Sequence, residues 1–267
     1  MYQFTRLFTE IRVLGDVLAC GKRLVEVNQS TINSEENEFR NNTITDSRDE
    51  AIHNLDYSIS LEKLCLKKPG YTSVFIFNNL SFNLPIGKSL LIEGENGVGK
   101  TSLLRLLAGL WKSDSGTLNI NSGQKTMFIQ ETPVLNDGTL LQQLVYPNTA
   151  DDAINLCDNT YVDILTKVGL SNLKDELLSK RQWSNILSLG EKQKISFARV
   201  LLCRPDLVFL DESSSSLSLS SEKELYTLLK RENIQTVTIS HRTLNIIEYH
   251  DYILNIQSDF NHSFKPI

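Results

Sequence analysis

Residues 89–110 read SLLIEGENGVGKTSLLRLLAGL. The first six form a short apolar run that closes on glycine, the mark of a buried strand. The last eleven, KTSLLRLLAGL, carry leucines at helical spacing. Between them Gly94, Glu95, Asn96, Gly97, Val98, Gly99, Lys100 and Thr101 match G-x-x-x-x-G-K-[ST] in full, with Ser102 following. Glycines let backbone N–H groups curl around a β-phosphate. Lys100 is placed to reach the β- and γ-phosphates as a point charge, and Thr101 to ligate Mg²⁺. A strand before the loop and a helix after it predict a nucleotide-binding α/β domain.

Three further short apolar runs, TMFIQ (126–130), LVFLDE (207–212) and TVTIS (236–240), alternate with helical segments. That order predicts a parallel sheet with crossover helices. Ahead of them, ISLEKLCLK (59–67) and FNNLSFNLPIG (77–87) alternate like half-buried antiparallel strands. Residues 1–27 read as one amphipathic helix, with Phe4, Leu7, Phe8, Ile11, Leu14, Leu18 and Val25 near one stripe. Residues 28–56 are polar and read as a disordered linker. Residues 150–185 read as a polar, mostly helical insertion. The formal charge of −5 over 267 residues gives no basic footprint, so no nucleic-acid partner is expected. Four cysteines without CxxC spacing argue against a zinc site or a disulfide framework. No apolar run approaches the roughly 20 residues of a membrane helix.

LVFLDE ends in two adjacent carboxylates, which are costly beside buried residues unless used. Asp211 is assigned to the Mg²⁺ shell and Glu212 to polarising an attacking water. His241 follows TVTIS directly, where ligands bind in open α/β sheets, and is placed to hydrogen-bond a γ-phosphate. His53, His250 and His262 have no such context and are read as surface residues. A second phosphate-friendly element is ILSLGEKQ (186–193). Ser188 is a good helix N-cap, and Gly190 lets an anion come close to the backbone.

GENGVGKT, LSLGEKQ, LVFLDE and SHR, in this order, resemble the nucleotide-binding domain of ATP-binding cassette (ABC) transporters over about residues 57–257. The resemblance implies a P-loop NTPase ABC cassette: a parallel-sheet core, an antiparallel β subdomain and a helical subdomain. Residues 258–267 are then a tail. It implies ATP with Mg²⁺ and Mg-dependent hydrolysis, with Glu212, His241 and Lys100 as catalytic residues. It also implies head-to-tail pairing with a second ABC cassette, so that Ser188 and Gly190 contact nucleotide held by the partner. SLLIEGENGVGKTSLLRLLAGLWKSDSGTL, NDGTLLQQLVYP and WSNILSLGEKQKISFARVLLCRPDLVFLDE resemble the D subfamily, half-transporters of peroxisomes and lysosomes, and most of all its cobalamin-associated member. By that likeness the chain works at the cytosolic face of an organelle membrane with a transporter membrane domain, and residues 1–27 resemble the cytoplasmic end of a membrane helix. On periodicity alone, the same helix could pack on its own domain. The chain departs from the family at Ser218, where the D-loop usually has Asp. The Gln-loop ligand is Gln130 by its place at the end of TMFIQ, or Glu131 by alignment on NDGTL. Tyr71 is the candidate for stacking on adenine. An ATP-locked scaffold and a soluble ABC ATPase are the competing readings.

Overall fold

The computed structural model describes residues 56–67, 75–146, 158–258 and 261–267. The helix expected over 1–27, all but the last residue of the linker over 28–56, and Tyr71 lie outside the described residues.

In chain order the elements are β1 (Tyr57–Lys67), β2 (Phe75–Pro85), β3 (Leu90–Gly94), α1 (Lys100–Leu107), β4 (Ser115–Ile120), β5 (Thr126–Ile129), β6 (Gly138–Thr139) and α2 (Leu140–Val145). Then come α3 (Asp158–Lys167), a 3₁₀ turn (Ser171–Glu176), β7 (Lys180–Arg181), α4 (Trp183–Ile186), α5 (Leu189–Cys203) and β8 (Leu207–Asp211). The last are α6 (Leu219–Arg231), β9 (Gln235–Ile239), α7 (Thr243–Ile246), β10 (Tyr252–Ile256) and β11 (His262–Pro266). A six-stranded sheet runs β11-β10-β3-β9-β8-β5, and a three-stranded antiparallel sheet runs β2-β1-β4. The strands from β10 to β5 are parallel, as the short apolar runs predicted.

Period-2 alternation explains how one sheet carries two cores. On β3, Leu90 and Ile92 face one side and Leu91 the other; on β8, Leu207 and Phe209 oppose Val208 and Leu210. The first side packs against α1 and the hydrophobic faces of β1 and β2. The second packs against α2, α3, α5 and α6. Each fully buried leucine or phenylalanine contributes about 1.5–3 kcal/mol.

Three findings differ from the sequence reading. Of the stretch 150–185, residues 158–185 are described and are mostly helical as expected, but they are not polar throughout: Tyr161, Leu165, Leu170 and Trp183 are buried in the second core. Most of their apolar side chains reach inward, although Leu178 is 78% exposed. Residues 262–266, inside the stretch read as a tail, pair antiparallel with β10. The Phe264 ring stacks on Tyr252 and Phe82, which clamps this edge strand onto both sheets. His250 is no surface residue but 6% exposed, with Nε2 2.9 Å from Thr238 Oγ1 and Nδ1 2.9 Å from the Ile246 carbonyl. The turn before β10 drives it inward, which no local pattern signals. His262 is half-buried, its Nε2 accepting from the Ser81 N–H at 3.5 Å.

Candidate nucleotide site

Parallel register sets the site. Ile92 pairs with Ile239, and Ile239 with Asp211, so β3, β9 and β8 end in one row. The loops leaving that row carry Gly94–Gly99, Ser240–His241 and Glu212, at the carboxyl edge where open α/β sheets bind ligands.

The loop 94–99 curls tightly. Gly99 is the N-cap of α1 at φ 99°, and a Cβ there would press on the side chains of Ile76 and Phe77. A Cβ on Gly94 would press on the Ile256 carbonyl. No side chain caps α1 and no acid occupies its first turn, so its free N–H groups stay available to an anion. Lys100 is buried and folds back, its Nζ donating to the Gly94 and Glu95 carbonyls at 2.8 Å each. Burial lowers its pKa, while the Glu212 and Asp211 charges raise it. An arriving phosphate offers this ammonium a stronger partner than two carbonyls do.

Thr101 Oγ1 donates to Asp211 Oδ1 at 3.1 Å, joining the two residues expected at the metal. Burial lifts the Asp211 pKa; the Thr101 hydrogen bond and Arg105 lower it, and Glu212 and Glu131 raise it. A hydroxyl beside a desolvated carboxylate, next to an uncapped helix start, suits a hard cation bound with phosphate. The residues present therefore fit a magnesium nucleotide.

Glu212 sits just past β8 at φ 49°, a left-handed conformation that costs a non-glycine residue about 1–3 kcal/mol. Its N–H donates to the Ile239 carbonyl at 3.1 Å, which holds the strained residue at the sheet edge. From there Glu212 Oε1 meets His241 Nε2 at 2.8 Å. The pair is part-exposed, open to water, and can accept and orient a proton.

Ser188 caps α5 with a complete capping box. The Glu191 N–H donates to Ser188 Oγ at 3.3 Å, and the Ser188 N–H to Glu191 Oε2 at 2.9 Å. These bonds are local and do not tie Ser188 to the phosphate loop of its own chain. Gly190 lies against the Ser216 carbonyl. Ser218 caps α6, accepting from the Ser221 N–H. Gln130, just past β5, and Glu131 are both exposed; the Glu131 charge raises the Asp211 pKa slightly, and its carbonyl accepts from Gln193 Nε2. Sequence reading missed Gln193 and Arg199, both buried on α5. Arg199 donates to the Gln143 and Val134 carbonyls, and burial takes its pKa down to about 10. Their signal was polar residues interrupting an otherwise apolar helix face.

A family model described as ABC transporter matches residues 77–215. An uncharacterized ABC transporter ATP-binding protein of Haemophilus influenzae is 39% identical over 76% of this chain and 34% of its own. The lysosomal cobalamin transporter ABCD4 of Homo sapiens is 33% identical over 75% of this chain and 34% of its own. The chain thus spans about a third of the length of the curated relatives it matches. A bacterial Atm1-family ABC exporter solved with ATP bound superposes with a TM-score of 0.64 at 21% identity, covering 75% of this chain and 37% of that one, which shows the shared fold. Among the described residues no helix is long and apolar enough to cross a membrane. With a phosphate loop, a carboxylate pair and a histidine on one sheet edge, and relatives of this kind, the chain belongs to the ABC transporter family and carries its ATP-binding cassette.

Proposed function

We propose that this cassette hydrolyses ATP to drive a D-subfamily half-transporter, moving an amphiphilic substrate across a peroxisomal or lysosomal membrane from the cytosolic face. The observation that carries the reading is the 2.8 Å contact of Glu212 with His241, beside the Thr101–Asp211 pair. Glu212 accepts the proton of the attacking water, and His241 orients that water and the γ-phosphate. The loop amides of 94–99, Lys100 and Ser102 hold the phosphates, and Tyr71 stacks on the base. Thr101, Asp211 and Gln130 or Glu131 would hold Mg²⁺, which when bound neutralises charge on the phosphate oxygens. Ser188 and Gly190, free of their own phosphate loop, serve nucleotide on a second cassette. Residues 57–257 form the cassette, joined through 28–56 to a helix over 1–27 that meets a membrane domain.

A second reading is an ATP-binding scaffold that does not hydrolyse. Ser218 favours it, because an uncharged serine caps α6 where the family's D-loop has Asp. A steady-state phosphate-release assay decides between them. Hydrolysis predicts release from the wild-type chain that falls about 10²–10⁴-fold in Glu212→Gln, with nucleotide binding kept. A wild-type chain that binds ATP and releases no phosphate overturns the first reading.

A further inference from the structure

Gln193 is fully buried one and a half turns into α5, and its amide is used at both ends. Nε2 donates to the Glu131 carbonyl at 3.1 Å and to Ser215 Oγ at 3.2 Å. Oε1 accepts from the Ser216 N–H at 3.0 Å. One side chain thereby joins three separate segments: the start of α5, the residue after Gln130, and the turn that follows Glu212. That turn is also held at Ser214, whose Oγ donates to Glu222 Oε1 at 2.6 Å and whose carbonyl accepts from the Leu217 N–H at 3.1 Å. At its start the Glu212 N–H donates to Ile239, and the Ser215 N–H closes back on the Glu212 carbonyl at 3.1 Å. At its far end Arg242 donates to the Leu217 carbonyl at 2.8 Å. Gln193 adds the grip at Ser215 and Ser216, and is the side chain that ties the turn to α5 and to Glu131. Because Glu212 is strained, its carboxylate stays in place only while the surrounding turn is fixed from several sides.

We propose that Gln193 is a positioning residue for hydrolysis: a buried three-way fork that holds the Glu212–Ser216 turn and the Glu131 backbone against the helix opened by Ser188. The inference rests on the ATPase reading above. A shift of α5 at its Ser188 end moves Gln193 with it, and so moves the backbone at Glu131 and in the turn after Glu212. Arg199, six residues further along α5, holds the Val134 carbonyl, so the segment after β5 follows the same helix at two points. The fork therefore links occupancy at Ser188 to the placement of Glu212 within one chain.

The test uses the full chain and two variants. Gln193→Met keeps the length of the side chain and loses all three bonds. Ser215→Ala removes one arm at a half-buried position and leaves the core intact. Misplacing a reacting group by about 1 Å costs about 10²-fold, so Gln193→Met is expected to lower kcat for phosphate release by about 10- to 100-fold. KM for ATP at saturating Mg²⁺ should stay within about twofold, since the fork meets Glu131 through its backbone carbonyl and touches no phosphate-loop atom. Ser215→Ala should show the same split at smaller size, about three- to tenfold in kcat. Amide exchange at Ser216 should quicken in Gln193→Met, which a loss of activity by general unfolding would not confine to that turn. A Gln193→Met kcat within twofold of wild type, or a KM that rises as kcat falls, overturns the proposal while leaving the ATPase reading in place. If Gln193→Met does not fold, an unchanged kcat in Ser215→Ala overturns it instead. A wild-type chain without phosphate release defeats both.

Discussion

Lowering the pH from 7 to 5 should destabilise this protein through one side chain, His250. Burial is the largest cause of its shift and takes its pKa from 6.5 down to about 4. The Ile246 carbonyl and Asp251 oppose that shift, and Lys230 adds to it. The Tyr226 ring closes the remaining side, 5.8 Å between centroids. In the unfolded chain His250 takes up its proton near 6.5; in the folded chain it does so only near 4. Between those values the unfolded state binds more protons, so stability is full above pH 6.5 and drains away as pH falls toward 4. At roughly 1.4 kcal/mol per pH unit the whole step is worth about 3 kcal/mol, of which about 2 is lost by pH 5. Urea unfolding of the wild type and of His250→Gln, which can still bond Thr238 but does not titrate, measures it. The wild type should lose about 2 kcal/mol more than the variant between pH 7 and pH 5. Equal losses in the two proteins would refute the reasoning. The consequence reaches the site, because Thr238 neighbours Ile239, whose carbonyl holds the Glu212 N–H.

Thr101→Ala removes the hydroxyl that donates to Asp211, and should raise the Mg²⁺ needed for half-maximal phosphate release about tenfold; an unchanged Mg²⁺ titration would remove Thr101 from the metal. Gly99→Ala forces a Cβ against Ile76 and Phe77 at a positive φ, and should cost about 1–3 kcal/mol in chemical denaturation and abolish ATP binding measured by equilibrium dialysis. Trp183→Ala empties a 1%-exposed site between helices and should cost about 3–5 kcal/mol; a loss under about 1 kcal/mol in the same assay would place Trp183 outside the cooperative core.

What the sequence by itself determined was whatever is local along the chain. Short continuous apolar runs made β3, β5, β8 and β9 legible as strands, since a strand covered on both faces shows no polar side, while alternation marked β1 and β2. The phosphate loop was legible because its glycines, lysine and threonine act within eight consecutive residues. Ser188 was legible as a cap because a serine side chain can accept from the first free N–H groups of its own helix. Tertiary structure alone decided the rest, because those contacts join residues far apart in sequence. Thr101 meets Asp211 across 110 positions, and Gln193 reaches Glu131 across 62. His250 shows the limit most clearly: its short range of neighbours suggested a surface residue, and only the packing of α6 and β9 around it removed it from water. A pattern of polar and apolar residues reports which face of its own element a side chain occupies. It carries no information on which distant backbone group will stand opposite, and that is what makes a buried amide a fork and a strained glutamate a neighbour of histidine.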